Sequence, residues 1–165
     1  MEGLDEFNSA PAGRAVEALR GCNAAPRFAT SLVAARPFVD VDTLVARAEE
    51  IAHGLTWDEV AIALAAHPRI GDRVEGSTAE AAASRREQSS MSGADDAVRE
   101  ALLAGNREYE ARFDHVFLIR ASGRSPEEML AELRRRLGND EQAERAEVTE
   151  QLAQITALRV KGLVS

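Results

Sequence analysis

The side chains best suited to chemistry in this chain lie in two short runs, His67-Pro68 and Ser84-Arg85-Arg86-Glu87-Gln88. Proline disfavours helical geometry in the residue before it, so His67 stands where a helix must break. Its imidazole can give or take a proton near neutrality. Ser84, Glu87 and Gln88 fall at i, i+3 and i+4, on one side of a helix turn, and Met91 continues that edge. A hydroxyl, a carboxylate and an amide on one edge suit a small polar substrate rich in amides, because serine and glutamine can each donate and accept. Each residue also has an ordinary reading. His67 could cap carbonyls at a helix end, and Glu87 could be a solvated surface carboxylate.

Arg159 is a third candidate. Val148, Leu152, Ile155 and Arg159 form one helical stripe at i, i+4, i+7 and i+11. An arginine that continues an apolar stripe either snorkels to water or needs an anionic or carbonyl partner. A fixed guanidinium could hold a substrate carboxylate with two parallel bonds.

These residues must be positioned by helices. The Ser9 and Pro11 pair opens one segment with Val16, Leu19 and Cys22 on its apolar side. Asp42 opens another, carrying Leu44, Val45, Ala48, Ile51, Ala52 and Leu55 at helical spacing. Thr56-Trp57-Asp58-Glu59 is a capping box, and its helix ends before Pro68. Further helices are predicted over 77–92, stopped by Gly93, and over 95 to about 112. Ser125-Pro126-Glu127-Glu128 starts another, with proline at the first helical position, and Gly138 ends it. The last runs from about 140 to 161. Val116-Phe117-Leu118-Ile119 is bulky and without polar breaks, which suits an extended buried piece. The expected fold is all-α, a single-domain compact bundle of about seven to nine helices over 1–165 with one short extended segment near 114–120.

The bulk properties narrow the chemistry. The chain has 165 residues and a formal net charge of −8, which argues against nucleic acid or an anionic membrane as the main partner. The basic cluster Arg134-Arg135-Arg136 reads as the solvated face of an amphipathic helix. A lone cysteine, Cys22, allows no internal disulfide, and no apolar run reaches membrane-spanning length. A cytoplasmic location is therefore expected, and a homodimer is compatible with the sequence. There is no Gly-rich phosphate loop, no Gly-x-Ser-x-Gly turn and no metal-ligand spacing among His53, His67, His115 and Cys22. No metal and no cofactor is expected.

Taken in order, these residues resemble one family, the 2-oxo-4-hydroxy-4-carboxy-5-ureidoimidazoline (OHCU) decarboxylases. The resemblance runs over nearly the whole chain. It includes Arg36-Pro37-Phe38, His67-Pro68, Ser84-x-x-Glu87-Gln88, Tyr109-x-x-x-Phe113, Phe117-Leu118-Ile119-Arg120-Ala121, Gly123-Arg124, the 134–140 stretch and Ile155-x-x-x-Arg159. The chain departs from the family where a Phe-Gly-Phe-Pro-Phe segment reads Phe113-Asp114-His115-Val116-Phe117, and Arg120 stands where some members have cysteine.

The resemblance implies cofactor-free decarboxylation of OHCU to (S)-allantoin in urate degradation. It implies His67 as the proton-transfer group, with Glu87 orienting it and favouring its charged form. Pro68, Ser84, Arg85, Arg86, Gln88, the backbone of Phe117, Leu118, Ile119, Arg120 and Ala121, and Arg159 make up the implied substrate-binding set. Two alternatives stay open at this level: an inactive helical binding module, and a cofactor-free lyase acting on a related ureido acid.

Overall fold

The computed structural model describes residues 1–72, 76 and 78–165. Its described residues form nine α-helices and one 3-10 turn, with no strand among them. The chain divides into two compact units, one formed by Met1–Ala63 with Leu152–Ser165 and the other by Leu64–Gln151.

In the first unit, α1 (Leu4–Ser9) is followed by α2 (Ala12–Leu19), α3 (Pro26–Ala34), α4 (Val41–His53) and α5 (Trp57–Ala65), whose last two residues belong to the second unit. Ser9 does not open a helix as expected. It closes α1, its hydroxyl donating to the Asp5 carbonyl at 2.8 Å, and Pro11 takes the cap position of α2. Both α1 and α3 went unmarked in the sequence. The signal for α3 was Pro26 at the first helical position with Phe28, Ala29, Leu32 and Val33 as its buried stripe. α3 packs against α2 and α4.

Arg36 secures the end of α1, donating to the Phe7 carbonyl at 2.9 Å and the Ala10 carbonyl at 2.7 Å. α4 is capped by Asp40, not Asp42, because the Asp40 carboxylate accepts the Thr43 N–H at 2.7 Å. The capping box before α5 forms as read, Thr56 N–H to Glu59 at 2.9 Å and Glu59 N–H to Thr56 Oγ1 at 3.3 Å. Arg27 and the Thr56 N–H together hold the Glu59 carboxyl down at about 2.

The second unit contains α6 (Ala79–Glu87), the 3-10 turn Ser89–Gly93, α7 (Asp96–Phe113), α8 (Pro126–Arg136) and the first part of α9 (Glu141–Val164). The predicted helix over 77–92 is shorter than expected. It starts after Thr78, whose hydroxyl accepts the Ala81 N–H, and yields at Gln88 to the 3-10 turn. Position 77 lies outside the described residues. Ser89 and Ser90 are poor helix formers, which explains the break. Ser125 caps α8 with Pro126 behind it, as expected. α7 packs on α8 around Leu102, Tyr109, Met129 and Leu133, and Ile70, Met91, Phe117 and Ile119 join the same core.

Between α7 and α8 the chain leaves helical geometry over 114–125 apart from a turn at 122–123, in keeping with the expected non-helical segment. Asp114, which stands where the family has glycine, ends α7 in the left-handed conformation with φ 63° and ψ 28°. Glycine takes that conformation without steric cost, and aspartate tolerates it better than most residues. His115 keeps an aromatic role, edge-on to Tyr109 at 5.5 Å and stacked on Phe113 at 6.2 Å. Asp114→Gly is expected to stabilise the protein by roughly 0.5–1 kcal/mol through relief of the left-handed strain. A higher denaturant midpoint at unchanged m-value is the check.

Candidate active site

His67 lies just past the end of α5, with its backbone N–H donating to the Leu64 carbonyl at 3.0 Å. The residue is only 9% exposed. Its Nε2 comes within 3.8 Å of a Glu80 carboxylate oxygen. Glu80 was missed in the sequence, although its signal was there. Glu80, Ser84 and Glu87 fall at i, i+4 and i+7, one face of α6. Glu87 lies about 10 Å further along the helix axis at 1.5 Å per residue. Ser84 is 2% exposed on that face, and Glu87 and Gln88 are half-buried.

The loop after His67-Pro68 is clamped from two sides. Asn106 on α7 donates its amide to the Ile70 carbonyl at 2.8 Å. The Gly71 N–H donates to the Gln88 side-chain oxygen at 3.1 Å. That bond uses one of the two lone pairs of the Gln88 oxygen. The Asn106 Oδ1 is buried with no hydrogen-bond partner among the described residues. Arg85 and Arg86 are both exposed, and Arg85 donates to the Gly76 carbonyl at 2.9 Å.

The segment 117–121 is held in part by Arg136, which the sequence reading placed elsewhere. Arg136 was expected on a solvated face with Arg134 and Arg135, yet it is 1% exposed. The reason is register: Met129, Leu133 and Arg136 fall on one buried stripe of α8, while Arg134 and Arg135 are exposed. Arg136 pairs with the fully buried Glu144 of α9, its Nε donating at 2.8 Å. The same carboxylate accepts the Tyr109 hydroxyl at 2.6 Å and the Asn139 amide at 3.0 Å. Burial, and then the Glu144 carboxylate, push the Tyr109 phenol well above its ordinary value.

Arg136 also donates to the Leu118 carbonyl at 2.7 Å, and its guanidinium lies 4.5 Å from the Phe117 ring centroid. Gln151 accepts the Arg120 N–H at 2.9 Å. The Arg120 carbonyl accepts from Arg124 at 2.8 Å, and its guanidinium donates to the Ser122 carbonyl at 2.8 Å. In a non-helical run, successive peptides can face opposite ways. Leu118 and Arg120 are tied to protein groups. The Ile119 N–H and C=O have no hydrogen bond among the described residues, though Ile119 is only 3% exposed. Buried peptide groups are ordinarily paired, which sets Ile119 apart from its neighbours.

Arg159 belongs to the first unit. The stripe it continues is buried as read, with Val148 and Leu152 at 0%, Ile155 at 4% and Arg159 itself at 8% exposed. Its guanidinium donates to the Gly21 carbonyl at 3.2 Å, closing the chain after α2.

The described residues thus bring a buried imidazole within 3.8 Å of a carboxylate, on a helix that also carries the buried Ser84 and the half-buried Glu87. The family profile described as OHCU decarboxylase matches residues 8–161. The fold is similar to a crystal structure of OHCU decarboxylase in the presence of (S)-allantoin, at a TM-score of 0.74 and 24% identity, over 88% of this chain and 95% of that one. It is also similar to a crystal structure of (S)-allantoin synthase, at a TM-score of 0.74 and 17% identity, covering 100% of this chain and 54% of that one. No curated protein matches the sequence. The chain belongs to the OHCU decarboxylase family. That membership makes it a carboxy-lyase of urate degradation. Among the described residues, no helix is long and apolar enough to cross a membrane.

Two variants test the supports. Arg136→Met leaves Glu144 buried without its cation, so a loss of about 3–5 kcal/mol in unfolding free energy is expected. Arg159→Met removes a charged donor from the Gly21 carbonyl and is expected to cost about 1–3 kcal/mol. Chemical denaturation measures both. Unchanged midpoints would mean that these guanidinium groups are not holding the backbone.

Proposed function

We propose that His67 carries the proton transfer in a cofactor-free decarboxylation of OHCU to (S)-allantoin. The observation that carries this reading is the buried imidazole, held at a helix break with a carboxylate 3.8 Å away, in a chain of this family. The substrate bears a carboxylate and a hydroxyl on one ring carbon next to a C=N bond. When the bond to the carboxylate breaks, carbon dioxide leaves and the electron pair passes into the adjacent imine. The substrate supplies its own electron sink. The protein has to orient the carboxylate, balance the developing charge and deliver a proton to one face.

His67 moves that proton, at the substrate hydroxyl or at the carbanion-like centre. Glu87, about 10 Å from Glu80 along the axis of α6, is the carboxylate for the substrate end of that face. Ser84 and the Gln88 amide meet the ureido and ring amides, together with the free peptide groups of Ile119. Pro68 fixes the backbone beside His67. Arg159 is the carboxylate- or carbonyl-binding guanidinium, with its fork geometry as the reason for arginine over lysine. Arg85 and Arg86 have the weakest support, because both are exposed.

The test uses freshly generated OHCU, which decays unaided to racemic allantoin. The wild-type protein is expected to accelerate its loss and to give the S enantiomer. His67→Ala is expected to lose roughly a hundred- to ten-thousandfold in kcat while folding normally. EDTA is expected to leave the wild-type rate unchanged. Near-wild-type turnover by His67→Ala removes the assignment, and a divalent ion restoring EDTA-treated enzyme removes the cofactor-free reading. Arg159→Lys is expected to lower kcat/KM markedly, since it keeps the charge and loses the planar fork.

A further inference from the structure

We propose that Glu80 is a positioning residue for His67, holding the imidazole in one orientation and supporting its charge. The proposal rests on the reading of His67 as the proton-transfer group. Three observations carry it. Glu80 Oε1 lies 3.8 Å from His67 Nε2, with the two side chains only 16% and 6% exposed. At that burial the attraction between carboxylate and imidazolium is screened far less than at the surface. Second, Glu80 stands in the first turn of α6, where Thr78 fixes the start of the helix by accepting the Ala81 N–H at 3.1 Å. A carboxylate is favoured there by the orphan backbone N–H groups of the helix end. Third, Glu80 shares the face of α6 that bears Ser84 and Glu87.

The consequence is a division of labour between two carboxylates on one helix. Glu80 sits at the imidazole. Glu87, about two turns further on, is placed to work at the substrate end of the same face. A carboxylate at 3.8 Å favours the charged imidazole with that nitrogen turned toward it. An imidazole held in this way loses little orientational freedom when the substrate arrives, so the contribution of Glu80 appears in turnover and not in affinity.

The experiment compares wild-type enzyme with Glu80→Gln and Glu80→Ala. Steady-state kinetics on freshly generated OHCU are combined with 15N-detected histidine NMR, the His67 signals being assigned by their loss in His67→Ala. Glu80→Ala is expected to lower kcat by on the order of tenfold or more, short of the loss in His67→Ala, with KM little changed. Glu80→Gln keeps an acceptor without the charge and falls between. In both variants the ring-nitrogen shifts of His67 are expected to move even without substrate. If Glu80→Ala does not fold, Glu80→Gln decides alone. Wild-type kcat and unmoved His67 signals overturn the proposal, as does a rise in KM at unchanged kcat, which would place Glu80 on the substrate. If the wild-type protein itself does not accelerate the loss of OHCU, the functional reading fails. The His67 signals then still report whether Glu80 holds the ring.

Discussion

The buried pair of Arg136 and Glu144 is the constraint on which the second unit depends. Arg136 is the last residue of α8 and Glu144 lies in the first turn of α9. Tyr109 brings in α7, and the Leu118 carbonyl brings in the segment between α7 and α8. Four pieces of chain are joined at one carboxylate and one guanidinium. A charge pair this deep is tolerated only when its remaining donors and acceptors are also met. Here Asn139, Tyr109 and the Leu118 peptide meet them. The stability of the unit and the placement of its non-helical 114–125 segment are therefore a single problem.

That placement bears on the proposed chemistry. A helix uses up its own peptide groups and has few to offer a ligand. Once Leu118 and Arg120 are tied to Arg136, Arg124 and Gln151, the intervening Ile119 peptide groups are fixed without being consumed. The loop that follows His67 is fixed in a similar way, by Asn106 at Ile70 and Gln88 at Gly71. Decarboxylation of a substrate that carries its own electron sink asks little covalent chemistry of the protein. It asks for fixed donors, fixed acceptors and one mobile proton.

Much of this was legible in the residues. The Thr56 and Ser125 caps, the break at Pro68 and the long last helix each follow from local rules that hold in the structure. The errors have local causes too. Asp40 outcompeted Asp42 because it stands one residue before the first turn and can reach the Thr43 N–H. α6 stopped at Gln88 because two serines follow it. Arg136 was read with its two neighbours as a charged surface, although its spacing from Met129 and Leu133 placed it on the buried stripe. Glu80 was passed over because a glutamate near a helix start is ordinary. Only the fold reveals that His67 lies beside it. Long-range pairing of that kind depends on how elements pack, which periodicity within one element does not encode.

The most direct test of this account is an NMR titration of the wild-type protein with (S)-allantoin. If the held segment and the His67 loop form the ligand site, the Ile119 amide and the His67 imidazole signals shift together with one saturation curve. The Arg120 amide, already bonded to Gln151, moves less than that of Ile119. Perturbations confined to other parts of the chain, with Ile119 and His67 unmoved at saturation, would contradict it.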